Sequence, residues 1–477
     1  MFLVRMLGFV SWLVLWSLHV TNCHEHKIVK NSKGEYFYLT FNNGEYVRPL
    51  ADNTTVKILG YDLQTIVTVD DSFLNKFKRL PPMQTLKLAD KSPDESMRVA
   101  ITKIMILAHP SYVIDTFKFK GKLNPSIELF DDYILMAWRD HMYDSPIKFA
   151  WLNRSLAYMP SNFSYFGIDN FITPDITSYD WNNMQEDPRL MLLPGGKELY
   201  IQYHAKHDVM NEVRTALCVV TPEALISSKT GGSKPEGGSY VTKHDSDGQY
   251  KTVFSLSNTA DYTNSVIFDS HYHTVYTNPK NWVMFYHRGS HRTLFIENIN
   301  PMRILEPVGR DPGSRNGTLR SVQQSTVEVS LPWSSKEYGA LIRGGTPAIL
   351  VPVLNDSVDS VYLAFFHTVA GFQMPYLTTY FMGAITFCPE FPFNIRSMSA
   401  HPIVPMTSLY DGEWVRVPVI DYVVFPTGIV LVDADTLLVS FGSQDKDGYI
   451  MKMSLSGLLR SLTEVQKCGS VRRKHRH

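Results

Sequence analysis

The stretch DPRLMLLPGGKELYIQYHA, Asp187 to Ala205, reads as two strands around a Pro-Gly-Gly turn. Leu190, Leu192 and Leu193 precede the turn, and ELYIQYHA then resumes a largely alternating pattern, the period of a half-buried strand. Four other stretches share this plan: NPSIELFDDYILMAWR (Asn124–Arg139), NWVMFYHRGSHRTLFIENINP (Asn281–Pro301), TPAILVPVLNDSVDSVYLAFFHT (Thr346–Thr368) and GIVLVDADTLLVSFGSQD (Gly428–Asp445). Each opens on a Pro, Asn, Gly or Trp cluster and closes on a polar or aromatic residue. Short β-rich runs at this density, divided by Gly, Pro, Asn and Asp, restrict the fold to an all-β sandwich, barrel or propeller. Five similar hairpin units in series favour a five-bladed β-propeller, four strands to a blade.

The pattern sets the domain plan. Residues 121–465 are expected to form the propeller, and 24–120, which lack the pattern, an N-terminal extension packed on it. Within that extension, Ser92–Ala108 fits either a capped helix or a strand. Ser227–Gln249 is rich in Gly, Ser and Lys and reads as an exposed loop. The basic end RRKHRH belongs to a solvated tail, 466–477.

Lys plus Arg equals Asp plus Glu at 46 each in 477 residues, so no global charge steers the chain to nucleic acid. At the N-terminus, Arg5 precedes an uncharged apolar run, Leu7–Val20, and then polar TNCHEHK. That run suits a signal peptide over residues 1–23 and falls short of the ~20 residues needed to span a bilayer. An uncleaved signal anchor is the alternative, and the only membrane contact in view. The expected location is the secretory pathway, secreted or in the ER or Golgi lumen. Asn-x-Ser/Thr sequons at Asn53, Asn153, Asn162, Asn316 and Asn355 agree with that route as N-glycosylation sites. Four cysteines, Cys23, Cys218, Cys388 and Cys468, are too few for a disulfide framework. One bridge is expected, Cys388 with Cys468, and a buried free thiol is the alternative at Cys218.

In a propeller the innermost strands converge on one axial funnel, so residues that open those strands meet in space. Glu186-Asp187-Pro188-Arg189 stands at such a mouth. Pro188 is expected to hold Asp187 in the extended or polyproline region and so fix its carboxylate. Arg189 either tunes that carboxylate or binds a substrate oxygen. The plainer reading is a Glu186–Arg189 surface pair beside a turn.

The tetrapeptide EDPR before a strand resembles the signature of glycoside hydrolase family 130, the β-mannoside phosphorylases and mannosidases, and of the related β-mannosyltransferase-like propeller proteins. NPSIELFDDYILMAWR, PKNWVMF with LFIENINPMRIL, RGGTPAILV, YFMGAITFCPEFPFNIRSMSAHPI and YVVFPTGIVLVDADTLLVSFGSQD follow in the order of that family. Together they cover roughly Asn124 to Asp445.

The resemblance implies inverting chemistry at a sugar carbon with Asp187 as general acid. One carboxylate suffices when phosphate is the nucleophile, whereas an inverting hydrolase needs a second one to activate water. Burial is expected to raise the Asp187 carboxyl against the pull of Arg189. Asn124, Arg139, Arg189 and Asp445 would bind sugar hydroxyls, and Lys280 phosphate or a donor phosphate. Trp282 and Tyr380 would stack on a sugar ring or pack in the core. His367 would bind a hydroxyl or sit as a satisfied core histidine. Arg343 precedes two glycines that would let backbone approach a ligand. Where bacterial phosphorylases place a histidine-arginine pair for phosphate, this chain reads ENINP, as the transferase-like branch does. That tilts the reading towards transfer from an activated sugar, or hydrolysis with Glu297 or another acid serving water. The expected partners are an oligosaccharide or glycan with phosphate or a nucleotide sugar. No cofactor and no metal are expected, because HYH at His271–His273 lacks a third ligand at a known spacing. A secreted glycosidase and a non-catalytic glycan- or protein-binding propeller are the alternatives.

Overall fold

The computed structural model describes residues 26–40, 46–50, 66–79, 84–87, 110–140, 147–166, 168–171, 185–206, 213–220, 265–268, 280–310, 316–325, 327–331, 342–353, 359–371, 378–406, 409 and 423–468. The leader, the tail from 469, the stretches 92–108, 227–249 and 271–273, and sequons Asn53 and Asn355 lie outside them. No helix among the described residues is long and apolar enough to cross a membrane. The chain divides into two compact units, described residues up to Arg79 forming the first and those from Gln84 the second.

The first unit is one sheet of β1 (His26–Asn31), β2 (Tyr36–Thr40), β3 (Tyr46–Pro49), β4 (Val67–Val69) and β5 (Lys78–Arg79). Its order is β4-β1-β2-β3-β5, with β4 parallel to β1 and β5 parallel to β3. A short helix, α1 (Asp71–Leu74), starts where the Asp70 carboxylate accepts the Phe73 amide at 2.8 Å. Val29, Leu39, Val47, Leu74 and Phe77 form its small core.

The second unit is all-β and built on the five expected hairpins. Before the first of them come β6 (Gln84–Lys87) and β7 (Val113–Phe119). Strands β8 (Leu123–Phe130), β9 (Tyr133–Arg139) and β10 (Lys148–Asn153) form one antiparallel sheet, followed by the ribbon β11 (Ser164–Tyr165) and β12 (Ile168–Asp169). Next stand β13 (Gln185–Leu192), β14 (Leu199–Lys206), β15 (Val213–Val220) and β16 (Ser265–Phe268), then β17 (Val283–His287), β18 (Arg292–Ile299), β19 (Met302–Arg310) and β20 (Asn316–Gln324). Parallel pairing of β16 with β20 joins these two antiparallel sets at their outer edges. After β21 (Val327–Ser330), which pairs with β6, come β22 (Ile342–Gly344), β23 (Ile349–Pro352), β24 (Ser360–Gly371), β25 (Thr378–Phe387) and β26 (Ile395–Ser399). The final set is β27 (Val424–Leu431), β28 (Thr436–Ser443) and β29 (Asp447–Ser454), with helix α2 (Leu455–Ser461) and β30 (Leu462–Glu464).

Two edges are closed by distant chain. Strand β30 pairs with β26, and β7 pairs with β29 from Val113↔Met453 to Phe119↔Gly448. Strand β7, which precedes residue 120, is thus the outer strand of the last sheet. An open β29 edge would leave a row of backbone groups unpaired, and the alternating VIDTFKF supplies their partners. The disulfide Cys388–Cys468 ties the chain end to the turn after β25.

The hairpins touch in cyclic order. Leu190 N–H donates to Ser126 Oγ at 2.9 Å, joining β13 to β8. Gln202 Nε2 donates to Trp282 O at 2.8 Å, and Ala348 N–H to Met284 O at 2.8 Å, carrying the contact through β14 and β17 towards β23. Thr427 Oγ1 donates to Pro125 O and returns β27 to β8. Close approach needs glycine at these seams. A Cβ on Gly344 would lie 2.3 Å from Asn281 O, and one on Gly345 2.6 Å from Pro426 Cγ. The glycines of RGGT thus admit neighbouring strands rather than a ligand. The largest apolar cluster runs from Val283 and Phe285 through Phe365, Phe366 and Met382 to Val439 and Phe441. Each such side chain stabilises the fold by about 1.5–3 kcal/mol on burial.

Candidate active site

The strand mouths hold the polar residues in an unusual backbone state. Asn124, Asp187, Asn281 and Asp445 have φ of +45°, +53°, +64° and +46°. Asn and Asp tolerate this left-handed region better than most residues. Pairing slips between Leu123 and Ser126 and between Glu186 and Arg189, so Asn124-Pro125 and Asp187-Pro188 each sit in a bulge. A bulge re-aims a side chain. Pro188 therefore does not hold Asp187 extended, as the sequence led us to expect. The bulge instead sets its carboxylate among Asn124, Arg139 and His204.

Asp187 is buried among donors. Asn124 Nδ2 donates to its Oδ1 at 2.6 Å, and Arg139 NH2 lies 3.4 Å from the same oxygen. On the other side His204 Nδ1 is 3.4 Å from Oδ2. The His204 Nε2 accepts the Asn281 amide at 3.0 Å, so the neutral ring carries its proton on Nδ1, facing the carboxylate. Burial pushes His204 down to about 4 against the pull of Asp187. For Asp187 itself, burial raises the carboxyl, but Arg139, His204 and Arg189 outweigh it and hold it well below the usual range. This reverses the expectation of an Asp187 raised by burial.

Arg139 serves three carboxylates. Besides Asp187, its NH1 is 3.6 Å from Glu186 Oε1 and its NH2 3.6 Å from Asp445 Oδ1. Lys280 Nζ reaches Glu186 Oε2 at 3.3 Å, and Asn124 Nδ2 also reaches Asp445 Oδ1 at 3.5 Å. Burial and the nearby Asp187 raise the Asp445 carboxyl, against Arg139, Asn124 and Lys280.

Asn124, Arg139, Asp187, Lys280, Arg343, His367, Tyr380 and Asp445 line one cavity of about 280 Å³, joined by Glu186, Asn281, Val423 and Phe425. His367 is buried between Tyr380 and Phe425, at ring distances of 5.5 and 4.6 Å, and its Nδ1 has no hydrogen-bond partner among the described residues. Burial, with Arg343 and Arg189 nearby, holds it neutral. Arg343 has no carboxylate partner among the described residues.

Two predicted site residues fall outside the cavity. Arg189 is fully buried beneath it, its Nε donating to Gly345 O, NH1 to Asp187 O at 2.9 Å and NH2 to Asn281 Oδ1 at 3.0 Å. A guanidinium spent on two carbonyls and an amide braces three strand mouths and has no face left for a sugar. Trp282 is wholly buried with Met284, Phe295 and Leu305, so it packs the core rather than a ring of substrate. Glu297 is buried against Arg303 Nη1 at 2.5 Å and does not line the cavity, which removes it as the acid serving water. Of the sequons, Asn162 is exposed, Asn153 Oδ1 accepts the amides of Ser155 and Ala157, and Asn316 opens β20.

The plainer reading pairs Glu186 with Arg189 at the surface, whereas Glu186 pairs with Arg139 and Lys280 and Arg189 is buried. Sequence reasoning missed His204, Asn281 and Phe425 as site residues. His204 sits mid-strand opposite Glu186, a signal that needs the register to be seen. Atoms of Glu186, Asp187 and His204 lie within 4.8 Å of one another, a spacing a cation could bridge. Lys280, Arg139 and the proton on Nδ1 already occupy those atoms, so the donor chemistry fits ion pairing better than a metal.

The molecule is thus a β-sheet protein with a charged, sugar-sized cavity at converging strand ends. No protein-family model matches the chain, and no curated protein matches it either. Solved structures do match. They include the β-1,2-mannobiose phosphorylase of Listeria innocua in complex with β-1,2-mannobiose, at 14% identity, 72% of this chain, 92% of that chain and a TM-score of 0.41. A glycosyl hydrolase from Bacteroides ovatus matches at 13% identity, 78% and 94% coverage and a TM-score of 0.41. A mannose phosphorylase from Leishmania mexicana in complex with phosphate ion matches at 12% identity, 74% and 92% coverage and a TM-score of 0.38.

Proposed function

We propose that the second unit is a five-bladed β-propeller enzyme that transfers or phosphorolyses a glycosyl group at β-mannoside-like linkages, with inversion and with one aspartate supplying the proton. The observation that carries this reading is convergence. Eight residues spread from Asn124 to Asp445, chosen from sequence, line a single cavity that with Glu186 holds three carboxylates and three cations. Five hairpins in cyclic contact, with an edge closed by β7, support the five-blade count. The cavity lies just below the usual ~300–1,000 Å³ of ligand pockets and suits one sugar ring with a small appended group. Lys280 and Arg343, beside neutral His367, favour an anionic group on that ring, either phosphate or the phosphate of an activated donor.

The disulfide supports an oxidising compartment, in line with a leader over 1–23 and glycans at the sequons. Residues 24–79 would be the extension proper. The test is product formation by purified protein from mannobiose-type oligosaccharides with and without phosphate, and from mannose 1-phosphate or GDP-mannose with acceptors. Phosphate-dependent release means a phosphorylase, elongation a transferase, and release with water alone a glycosidase. Glycan binding with no turnover on any donor would sink the enzyme reading in favour of a non-catalytic propeller.

A further inference from the structure

The turn HRGSH, His287–His291, between β17 and β18 brings a hydroxyl, an imidazole and a carboxylate into contact. His287 Nδ1 and Ser290 Oγ are 2.7 Å apart, and His287 Nε2 and Glu390 Oε2 are 3.1 Å apart. The carboxylate accepts the Nε2 proton, which leaves Nδ1 to accept the Ser290 hydroxyl. A serine on an imidazole that a third group orients is the arrangement that activates a nucleophile. This cluster is separate from the cavity. Asn281 lines the cavity before β17 and His287 ends that strand, so the two sites lie about 15–20 Å apart along it.

Two turns hold the three groups in place. The His287 side chain is 11% exposed, and its ring meets that of Phe393 edge-on at 5.0 Å. Glu390 comes from the turn after β25. Cys388–Cys468 pins that turn, as do Cys388 N–H to Asn394 O at 3.0 Å and Phe393 N–H to Gln323 Oε1 at 2.8 Å. The Gly289 backbone passes over the contact between ring and carboxylate. A Cβ there would lie 3.0 Å from His287 Nε2 and 3.1 Å from Glu390 Oε2. The turn therefore covers one side of that contact while Ser290 stays exposed. Among the described residues, neither the Gly289 nor the Ser290 amide has a hydrogen-bond partner.

We propose that Ser290, His287 and Glu390 form a second reactive centre, an esterase site for carboxylic esters with an apolar acyl group. Ser290 is the nucleophile, His287 the base, and Glu390 the positioning residue that fixes the ring. Phe391, next to Glu390 and 62% exposed, stands 6.3 Å ring to ring from Phe393 and continues an apolar path from the imidazole to the surface. That ring gives the acyl group a face to lie on.

Ser290 Oγ attacks the ester carbonyl carbon as its proton passes to His287 Nδ1. The free Gly289 and Ser290 amides are the donors at hand for the oxyanion. The C–O bond to the alcohol then breaks, and the departing oxygen takes the proton from Nδ1. Water, giving its proton to the same nitrogen, attacks the acyl-serine. The bond from the acyl carbon to Ser290 Oγ breaks, the carboxylic acid leaves, and Ser290 regains the proton.

The experiment has two arms on the full chain. In the first, the protein is treated with diisopropyl fluorophosphate and the adduct is mapped by mass spectrometry. One adduct is expected on Ser290, absent in Ser290→Ala and formed about 10²–10⁴-fold more slowly in His287→Gln and Glu390→Gln. No adduct at Ser290, or equal labelling rates in wild type and Glu390→Gln, would overturn the proposal. Ser290 and Glu390 are exposed at turns, so these two variants test the chemistry without disturbing the core.

The second arm follows hydrolysis of p-nitrophenyl acetate and butyrate. Ser290→Ala should reduce release to the buffer rate. Glu390→Gln should lower kcat and leave KM unchanged, a split that loss of packing would not give. Phe391→Ala should raise KM for the butyrate more than for the acetate. Asp187→Asn should hydrolyse both esters as the wild type does, which keeps this test independent of the glycosyl-transfer reading. Hydrolysis lost in Asp187→Asn and kept in Ser290→Ala would place the activity in the cavity and refute the second centre.

Discussion

His204 couples the site to the stability of the fold, and the size of that coupling follows from its surroundings. In the folded chain burial brings the imidazole down to about 4, whereas an unfolded histidine titrates near 6.5. Between these values the unfolded chain binds a proton that the folded chain refuses. A lowered folded pKa means that stability is complete above about pH 6.5 and falls as pH drops towards 4. At about 1.4 kcal/mol per pH unit, the loss across that interval is about 3 kcal/mol. Asp187 adds nothing in this window. Its depressed carboxyl contributes stability above its unfolded value near 3.9, which is lost only as pH falls further, through its folded value. The assay is urea unfolding followed by tryptophan emission, since Trp138, Trp151 and Trp282 are all buried in the second unit. Titrations at steps from pH 7.5 to 4 would be run on the wild type and on His204→Gln. The variant should start lower, by about 1–3 kcal/mol for the orphaned Asn281 amide, and then lose about 3 kcal/mol less on acidification. Because His367 and other buried histidines are common to both proteins, the difference isolates His204. Equal pH slopes in the two proteins would refute the assignment of a neutral, Nδ1-protonated ring.

Further outcomes follow from the same contacts. A Cβ at Gly442 would lie 1.7 Å from Asn124 Oδ1 and 3.1 Å from its Cα. Gly442→Ala should therefore displace Asn124 and cost about 1–3 kcal/mol in unfolding experiments. Arg189→Lys keeps the charge but loses the fork to Gly345 O, Asp187 O and Asn281 Oδ1. It should lower stability by about 3 kcal/mol, measured by urea titration, and an unchanged midpoint would contradict the bracing role. Trp282→Ala should behave as a core truncation, costing about 3–5 kcal/mol, with ligand affinity in calorimetry unchanged at temperatures where the variant stays folded. Reduction of Cys388–Cys468, which closes a separation of 80 residues, should lower the melting temperature in scanning calorimetry by an amount matching about 4 kcal/mol.

The hairpins were legible because a strand writes its burial every second residue, and each of the five alternating runs is a β-hairpin in the structure. Cavity residues such as Arg139, Lys280 and Asp445 were legible through resemblance and position at strand mouths. What the sequence did not yield was set by partners distant in the chain. His204 looks like one polar residue in an alternating strand until the register places it opposite Glu186 and beside Asn281. Arg189 sits two residues from Asp187, yet its bonds go to chain 92 and 156 residues away, and those decide its buried, bracing role. Pre-proline sterics point Asp187 to extended backbone, and a bulge overrides them. The RGGT glycines read equally well as a ligand cradle or a seam between sheets, and only the nearby Asn281 and Pro426 choose.

The pairing of β7 with β29 sets a timetable for the newborn chain. Gly121 and Asp447, joined by a hydrogen bond at this seam, are 326 residues apart. At about 5–20 residues per second, roughly half a minute separates the emergence of Val113–Phe119 from the ribosome and the arrival of its partner. Through that interval β7 lacks its native partner, and it waits with its hydrogen-bonding edge exposed. Its neighbours on a polysome wait in the same state, each able to accept the other's β29 in place of its own. Exchanged dimers at the β7–β29 seam are the error this topology invites, and slowing synthesis should make them more frequent.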